Sequence, residues 1–431
     1  MTDLSSRVLP PLENHQMDAV PHDQDMIHPY YEGFSLVNIP GTVSKLLGAP
    51  KFGALPLDGL LTDTLQGTYE KVVLLLVDAL GRDLFERMLG TQKNLIWGRL
   101  KERATYSPIT SVCPSTTASA LTTLWTGLEP SAHGIIGYEM WAKEFGMVIN
   151  NIHHAPAYSK GDNVGFSRSG FDPHEFLDQP LIGTHLVNHG IKATTFIHSS
   201  IAYSGLSVMQ MDDVTLKTYV DEADLCVSLA EFLNSRQGIR EYVYVYYSDV
   251  DTLMHRYNDH NSRVTLQFEA FSHLFEKAFL GGLSDSVADE TLLILTADHG
   301  SKTTPKYKRY ELKRHPDLID CLVMQPTCEN RLAFLYIKPG RMSSVRDYFN
   351  KTWPDDFYLV EPEAALDSGL FGSGPHKANV RDRMGDLIAI ARGDAYLWWA
   401  PKQNRMAGRH GGLSREEMLV PFYALPLGEG I

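Results

Sequence analysis

The sequence predicts an α/β fold in which a doubly wound, mostly parallel sheet carries helices on both faces. Three apolar runs end in acidic residues, and they lie at Val72–Val77, in EYVYVYYSDVD and in TLLILTADHG. Such runs are typical of strands buried on both faces of a parallel sheet. Between the runs, apolar residues recur at helical spacing, as in Leu225, Leu229, Phe232 and Leu233, and in Val264, Phe268, Phe271, Phe275 and Phe279. This alternation of buried strands with helices predicts the parallel arrangement.

The pattern divides the 431-residue chain into an arm, a core and an insertion. Residues 1–55 are rich in Pro, His and Asp and lack sustained periodicity, so an irregular N-terminal arm is predicted. Residues 56–305 and 381–431 are predicted to form the catalytic α/β core. Residues 306–380 contain RLAFLYI, a helix-like stretch and FYLV, which predict a small α+β inserted cap. The strand-like segments DLIAIA and AYLWWA would then return the chain to the core.

Composition and charge exclude several classes of protein. Hydrophobic residues make up 43% and charged residues 21% of the chain, as in folded globular proteins and unlike disordered or fibrous ones. There are 39 Lys and Arg against 52 Asp and Glu, giving a net charge of −13. A field of this sign disfavours binding to a nucleic-acid polymer. The longest apolar runs are far shorter than the roughly 20 residues that span a bilayer, so no membrane segment is predicted.

The four cysteines indicate a reducing compartment. They are Cys113, Cys226, Cys321 and Cys328, too widely spaced for a zinc ribbon and too few for a disulfide scaffold. The first 25 residues also lack the basic start and apolar run of a signal peptide. The sequence therefore predicts reduced thiols and a cytoplasmic location.

Acidic residues at the strand ends are candidate metal ligands. Because the carboxyl ends of parallel strands meet at one edge of a sheet, Asp78, Asp251 and Asp298 are expected to converge. His255 follows Asp251 by one helical turn, and His299 follows Asp298 directly. A single acid at a strand end is commonly a helix cap, but capping does not explain the two histidines. The mixture of carboxylate and imidazole suits Zn²⁺ or Mn²⁺.

A cluster of hydroxyl residues, Ser115, Thr116 and Thr117, follows Pro114 and opens a helix that ends near Gly127. Such residues commonly cap a helix. The N–H groups and positive dipole end of a helix also suit a hydroxyl that must ionise and accept a phosphoryl group. Physical reasoning alone leaves all three hydroxyls open as the nucleophile.

The ordered set of motifs resembles a known family. In chain order these are Asp78, Pro114 with its hydroxyls, Thr126-Gly127-Leu128-x-Pro130, His133-Gly134-Ile135, Asp251-x-x-x-His255, Asp298-His299-Gly300 and Gly408-x-His410-Gly411. From about Val72 to Gly412, outside the insertion, the chain resembles the alkaline phosphatase superfamily. The greatest similarity is to its type I phosphodiesterase/nucleotide pyrophosphatase branch.

The resemblance implies a fold, a chemistry and a set of site residues. It implies an alkaline phosphatase-like core and Thr117 as the nucleophile, since Thr117 precedes Thr126 by nine residues. One metal would be held by Asp78, Thr117, Asp298 and His299, and the other by Asp251, His255 and His410. A covalent phospho-threonine would form and then be hydrolysed. Tyr138 takes the place of a phosphoryl-binding Asn and would contribute a phenol hydrogen bond.

The predicted activity is that of a two-metal phosphodiesterase or nucleotide pyrophosphatase acting on a small, nucleotide-like diester, with Zn²⁺ preferred and Mn²⁺ the alternative. Ser119-Ala120 replaces the Pro-Asn that commonly follows the nucleophile in the family, so Ser115 and Thr116 stay alternatives. Other open readings are a phosphomonoesterase or phosphomutase of the superfamily, or a metal-binding pseudoenzyme. A sulfatase is disfavoured because Cys113-Pro114-Ser115-Thr116 lacks the Cys-x-Pro-x-Arg motif. The sequence does not indicate an oligomeric state.

Several other residues give weaker indications of a functional role. His133 is interpreted as a structural turn residue, and His153 and His154 lack a carboxylate at ligand spacing. Trp141 and Tyr158 are aromatic side chains that could stack on a base. The basic run Lys302, Lys306, Lys308 and Arg309 follows the Asp298-His299 pair and is interpreted chiefly as a solvated loop.

Overall fold

An eight-stranded sheet lies at the centre of the computed structural model, which describes residues 2–21, 23–65, 69–91, 94–157 and 170–428. Across the sheet the strands are Thr2–Asp3, Thr105–Thr110, Leu419–Pro426, Thr291–Thr296, Lys71–Val77, Glu241–Tyr247, Lys192–His198 and Thr215–Tyr219. Leu419–Pro426 runs antiparallel to both of its neighbours, and every other pairing is parallel. The predicted mostly parallel sheet is confirmed.

The three apolar runs form adjacent strands in the middle of this sheet. Lys71–Val77 pairs with Thr291–Thr296 on one side and with Glu241–Tyr247 on the other. Every residue of the three strands is buried, so both faces of the sheet are covered. Because the strands are parallel neighbours, the acidic residues that follow them lie at one edge.

Helices connect the strands at the predicted places. Glu222–Asn234 buries the predicted apolar positions, and Ser262–Leu274 continues into a π-helical turn at Phe275–Phe279. The other α-helices in the described ranges are Ser5–Asn14, Asn38–Leu46, Gly59–Thr62, Arg82–Thr91, Ile96–Arg99, Thr117–Thr126, Pro130–His133, Pro173–Leu177, Ile182–Asn188, Gly205–Gln210, Asp249–Tyr257, Asp285–Asp289, Pro316–Ile319, Met342–Thr352, Pro362–Asp367 and Arg415–Met418. Short 3₁₀ turns lie at Lys101–Arg103, Lys143–Phe145, Leu280–Gly282, Lys308–Tyr310, Leu312–Arg314 and Arg381–Arg383. Among the described residues, no helix is long and apolar enough to cross a membrane.

The inserted region contributes to a second, antiparallel sheet. In order its strands are Phe357–Val360, Leu387–Ala391, Leu332–Leu335, Thr327–Glu329, Glu139–Ala142, Met147–Asn150 and Ala155–Pro156. Strands from 139–156 and 387–391 therefore extend this sheet beyond the predicted limits of 306–380. A separate ribbon pairs Lys302–Thr303 with Gly408–Arg409.

Two predictions about the end of the insertion are wrong. DLIAIA does not return the chain to the core, because Leu387–Ala391 pairs inside the second sheet. AYLWWA is not a strand, since its one ladder contact is a bridge from Trp398 to Glu311. Its aromatic side chains instead pack in a second hydrophobic cluster with Tyr310 and Trp353. The apolar pattern thus reflected burial without strand pairing.

The N-terminal arm is not irregular throughout, as residues 1–55 were predicted to be. The helix Ser5–Asn14 contains Pro10 and Pro11, which disrupt its apolar pattern in the sequence, and it buries Val8 and Leu12. Asn38–Leu46 forms a second helix. The arm therefore packs against the core through regular elements.

A buried ion pair joins the second sheet to the segment after the ribbon. Arg331 Nε lies 2.7 Å from Glu417 Oε1, and both side chains are fully buried. Arg331 also donates to the carbonyls of Gly393 and Ala395. Glu417 accepts from the N–H groups of Gly412 and Ser414, so each charge has several partners.

Replacing Arg331 with Met should destabilise the protein by about 3–5 kcal/mol, because Glu417 would remain buried without its cation. Urea unfolding measures this loss. The control is Arg346→Met, which breaks the exposed pair with Glu361 and should cost less than about 1 kcal/mol. Equal losses in the two variants would contradict the assigned role of the buried pair.

Candidate active site

Three aspartates converge at the edge of the central sheet. Asp78 and Asp298 are 3% and 0% exposed, and Asp251 lies beside them on the helix Asp249–Tyr257. Asp78 Oδ2 accepts a hydrogen bond from the Tyr246 hydroxyl. Asp298 Oδ1 accepts from the N–H groups of Ala79 and His299, at 3.1 and 3.0 Å. In the described chain, Asp78 Oδ1, Asp298 Oδ2 and Asp251 Oδ1 are buried without a hydrogen-bond donor.

Three histidines present unprotonated nitrogens to these oxygens. The Nδ1 atoms of His255, His299 and His410 lie 3.0, 2.9 and 3.1 Å from the backbone oxygens of Gly408, Gly300 and Ser115. A carbonyl only accepts, so in the neutral rings Nδ1 carries the proton and Nε2 carries the lone pair. The Nε2 atoms of His255 and His410 face each other at 3.3 Å.

The carboxylate oxygens and imidazole nitrogens that face each other in this cluster are all hydrogen-bond acceptors. His299 Nε2 lies 3.3 Å from Asp298 Oδ2 and 3.6 Å from Asp78 Oδ1. Burial, together with Asp298 and Asp251, raises the pKa of Asp78 well above its usual value. Burial and the two other histidines lower the pKa of His410 well below its usual value. A cation inside the cluster would lower the pKa of Asp78 and would keep His410 neutral, so both side chains would be in the form that binds a metal.

The donor set fits divalent cations. Asp78, Asp298 and His299 form one group whose ligand atoms all lie within 4.8 Å, and Asp251, His299 and His410 form another. His255 Nε2 lies 3.4 Å from Asp251 Oδ2, beside the second group. Carboxylate oxygens and imidazole nitrogens with fixed outer hydrogen bonds are the ligands of zinc-type ions. The structure thus brings all six predicted Asp and His ligands together.

The three candidate hydroxyls point in different directions. Ser115 Oγ donates to the carbonyl of Gly412 at 2.7 Å, and Thr116 Oγ1 donates to Glu329 at 2.5 Å. Thr117 Oγ1 lies 3.1 Å from His299 Nε2. Among the described residues, Thr117 is the member of this trio whose hydroxyl contacts the Asp and His cluster.

Thr117 is also the first residue of a helix. The helix Thr117–Thr126 ends at Gly127, as predicted. Its first intrahelical bond runs from Ala120 N to Thr116 O at 2.9 Å, so three backbone N–H groups precede it. The Thr116 side chain makes no capping bond to them. The helix start is therefore open to an anion beside the Thr117 hydroxyl.

Tyr138 lies near this site but does not join the cluster. Its side chain is 38% exposed, and in the described part of the chain its hydroxyl makes no hydrogen bond with Thr117 or with the six Asp and His residues. Its backbone N–H donates to Glu329. Burial, with the nearby charges of Glu139 and Glu329, raises the pKa of the Tyr138 phenol.

The remaining candidates lie outside the cluster. Lys302 pairs with Glu416, and Arg309 pairs with Asp356 at 3.0 Å. Lys306 and Lys308 are exposed. Tyr158, a candidate for stacking on a base, falls outside the described residues.

Two residues at the site were missed from the sequence. Tyr246 anchors Asp78, and Glu329 reaches Thr116 from the second sheet. The alternation of EYVYVYYSDVD places Tyr246 on one face of its strand, but the register with the neighbouring strand is not readable from the sequence. Nothing in the sequence near Glu329 connects it with Thr116.

Close backbone approach explains two glycines. A Cβ on Gly300 would lie 1.9 Å from the carbonyl oxygen of Glu416. Gly411 has φ +106°, and a Cβ there would lie 2.4 Å from Cβ of Glu329. Side chains at these positions would push the neighbouring segments away from His299 and His410.

A comparison with models of known protein families identifies one match. A family model described as type I phosphodiesterase / nucleotide pyrophosphatase matches residues 72–413. None of the curated proteins compared with the chain matches it.

Solved structures share the fold. Murine ectonucleotide pyrophosphatase/phosphodiesterase 5 has a TM-score of 0.62 and 16% identity, over 82% of this chain and 88% of that chain. An inactive variant of the murine protein was solved in complex with AMP, with a TM-score of 0.61 and 15% identity, over 82% of this chain and 87% of that chain. Phosphonoacetate hydrolase from Sinorhizobium meliloti 1021, in complex with phosphonoacetate, has a TM-score of 0.57 and 17% identity, over 82% of this chain and 89% of that chain.

Two histidines outside the cluster are buried and neutral. His133 Nδ1 accepts from the N–H of Ile135, and its Nε2 lies 3.0 Å from Thr123 Oγ1. His154 is 4% exposed, and its ring packs 4.9 Å from that of Phe171. Neither of its nitrogens has a hydrogen-bond partner among the described residues. Burial lowers the pKa of His133 to about 3 and that of His154 to about 4.

His154 should make folding sensitive to acid. An unfolded histidine titrates near pH 6.5, so this stability is complete above that pH and is lost as the pH falls toward 4. At pH 4.5 the loss should be about 2.5 kcal/mol. In metal-free protein, urea unfolding of His154→Phe should show an acid loss smaller by this amount than that of the wild type. Identical losses in both proteins would refute the assignment.

Proposed function

The chain belongs to the type I phosphodiesterase / nucleotide pyrophosphatase family, and we propose that it hydrolyses small phosphodiesters through a phospho-threonine on Thr117. The observation that carries this proposal is the position of the Thr117 hydroxyl, 3.1 Å from His299 Nε2 at an open helix start. AMP bound to the murine relative and phosphonoacetate bound to the hydrolase support a small phosphorylated substrate.

The proposal includes two divalent ions. Asp78, Thr117, Asp298 and His299 would hold one ion, and Asp251, His255 and His410 would hold the other. This donor mixture suits Zn²⁺, with Mn²⁺ as the alternative. When bound, the two ions would supply the positive charge that favours ionisation of the nucleophile and offsets charge on the phosphoryl and leaving oxygens.

The protein's own groups would orient the reaction. Thr117 Oγ1 attacks phosphorus on the side opposite the leaving alcohol, forming the new P–O bond as the ester P–O bond breaks. The amides at the helix start bind the phosphoryl oxygens. Water then cleaves the phospho-threonine, which restores the Thr117 hydroxyl and releases a phosphomonoester. Overall, one diester and one water give one alcohol and one monoester.

Net charge and the state of the cysteines support the proposed substrate class and the proposed compartment. A net charge of −13 disfavours a nucleic-acid polymer but not a small anion drawn into a cation-bearing pocket. All four cysteines are free and buried, which supports the proposed cytoplasmic location.

Thr117→Ala should lower kcat at least about a thousandfold, because the nucleophile is removed. Metal analysis should still find most of both ions, since six Asp and His donors remain. Thr117→Ser keeps a hydroxyl and should retain part of the activity. Full activity of Thr117→Ala, or undiminished wild-type activity after exhaustive chelation, would reject the mechanism.

Substrate preference separates the diesterase from the monoesterase and phosphomutase alternatives. Bis-p-nitrophenyl phosphate should be hydrolysed with a higher kcat/KM than p-nitrophenyl phosphate, each measured by nitrophenol release with the same metal-loaded protein. A strong preference for the monoester would contradict the proposed diesterase activity. Stimulation by a sugar bisphosphate would instead favour the mutase.

A further inference from the structure

Glu329 brings a carboxyl group from the second sheet to the residue before the proposed nucleophile. Its Oε1 accepts from Thr116 Oγ1 at 2.5 Å, and the N–H of Tyr138 also donates to it. Its Cβ and Cγ pack against Gly411, where a Cβ would lie 2.4 and 2.5 Å away. Burial, with help from Glu139 and Asp251, raises the pKa of Glu329 to about 8. The Glu329 carboxyl group is thus buried between Gly411 and the Thr116 hydroxyl.

Thr116 occupies the N-cap position of the helix Thr117–Thr126. Its backbone is extended, with φ −137° and ψ 147°, as at other N-caps. A threonine there usually accepts hydrogen bonds from the second or third helical N–H, here those of Ala118 and Ser119. The side chain makes no such bond, because its hydroxyl is directed to Glu329.

Several helices in the described part of the chain have the usual arrangement. The side chains of Asp58, Asp172, Ser204, Asp221 and Asn261 each cap their helix by accepting a backbone N–H. Thr116 has a hydroxyl that could accept in the same way, but this hydroxyl donates to Glu329. The uncapped helix start coincides with the site where Thr117 faces the Asp and His cluster.

We propose that Glu329 is a positioning residue that holds Thr116 away from the helix start and so keeps the amides of Ala118 and Ser119 free for the phosphoryl group. This role rests on the proposed function, which places that group beside Thr117. It assigns the second sheet a part in the reaction without contact between Glu329 and the reacting atoms.

Four variants separate the effect of the hydrogen bond between Thr116 and Glu329 from the effect of the packing around Glu329. Glu329→Met keeps methylene groups against Gly411 but removes the acceptor, whereas Glu329→Gln keeps an acceptor oxygen. Thr116→Val removes the hydroxyl that would cap the helix, and it is combined with Glu329→Met in a double variant. Glu139→Met, on the paired strand, is the control for loss of a nearby carboxyl group.

Two readouts apply to the metal-loaded protein: the inhibition constant of inorganic phosphate, and hydrogen exchange at the amides of Ala118 and Ser119. In Glu329→Met, the freed Thr116 hydroxyl should cap the helix. The phosphate inhibition constant should then rise about tenfold, and kcat/KM should fall by at least as much. Exchange at the two amides should slow about tenfold.

The double variant gives the decisive result. Because valine has no hydroxyl with which to cap the helix, the double variant should recover most of the phosphate affinity and kcat/KM lost in Glu329→Met. Glu329→Gln keeps an acceptor for Thr116 and should also bind phosphate better than Glu329→Met. A purely structural role for Glu329 predicts a double variant at least as impaired as the single one, and that outcome would overturn the proposal. Equal effects of Glu139→Met and Glu329→Met would do so as well.

Hydrogen exchange separates this inference from the proposed function. If the wild type hydrolyses no phosphoester, the proposed function fails, but slowed exchange in Glu329→Met would still support control of the cap by Glu329. If the wild type is active and exchange in Glu329→Met matches that of the wild type, the inference fails while the proposed function stands.

Discussion

Electrostatic repulsion between buried carboxylates at one edge of the sheet is the constraint around which the site is built. Asp78 and Asp298 follow neighbouring parallel strands, so the register of those strands forces them together. Each has one oxygen that accepts from a donor of the protein and one oxygen that has no donor among the residues the structure describes. Burying such groups unpaired is costly, and positive charge among the oxygens would offset that cost. The proposed ions would provide it.

The loop that leads to Thr117, the proposed nucleophile, is held by segments from very different parts of the chain. The N–H of Cys113 donates to the hydroxyl of Tyr31 in the N-terminal arm. The carbonyl of Ser115 accepts from His410, and Thr116 donates to Glu329 of the second sheet. Each contact limits how far Thr117 can move relative to the Asp and His cluster. The arm and the second sheet are therefore part of the active-site framework, although neither supplies one of the six Asp and His donors.

The sequence predicted the parts of the site that depend on local pattern. Apolar runs that lead to Asp78, Asp251 and Asp298 predicted that these residues converge at one edge of a parallel sheet, because burial on both faces produces continuous apolar runs. Contacts between separate elements were not predictable, since the Tyr246 bond depends on strand register. Local pattern also failed at two places. AYLWWA is buried as part of an aromatic cluster and not as a strand. The helix Ser5–Asn14 was not predicted because it contains two prolines.

The position of Leu419–Pro426 within the central sheet has a consequence for the order of assembly. This strand lies between Thr105–Thr110 and Thr291–Thr296, yet the ribosome synthesises it after every other strand of the sheet. Until it inserts, the strand that leads to Thr117 and the strands that carry the acidic edge belong to separate halves of the sheet. A nascent chain would expose two unpaired strand edges, which other chains can pair with. Thr117 and the Asp and His cluster would come together as that last strand closes the gap, which would place the proposed active centre among the final features to form.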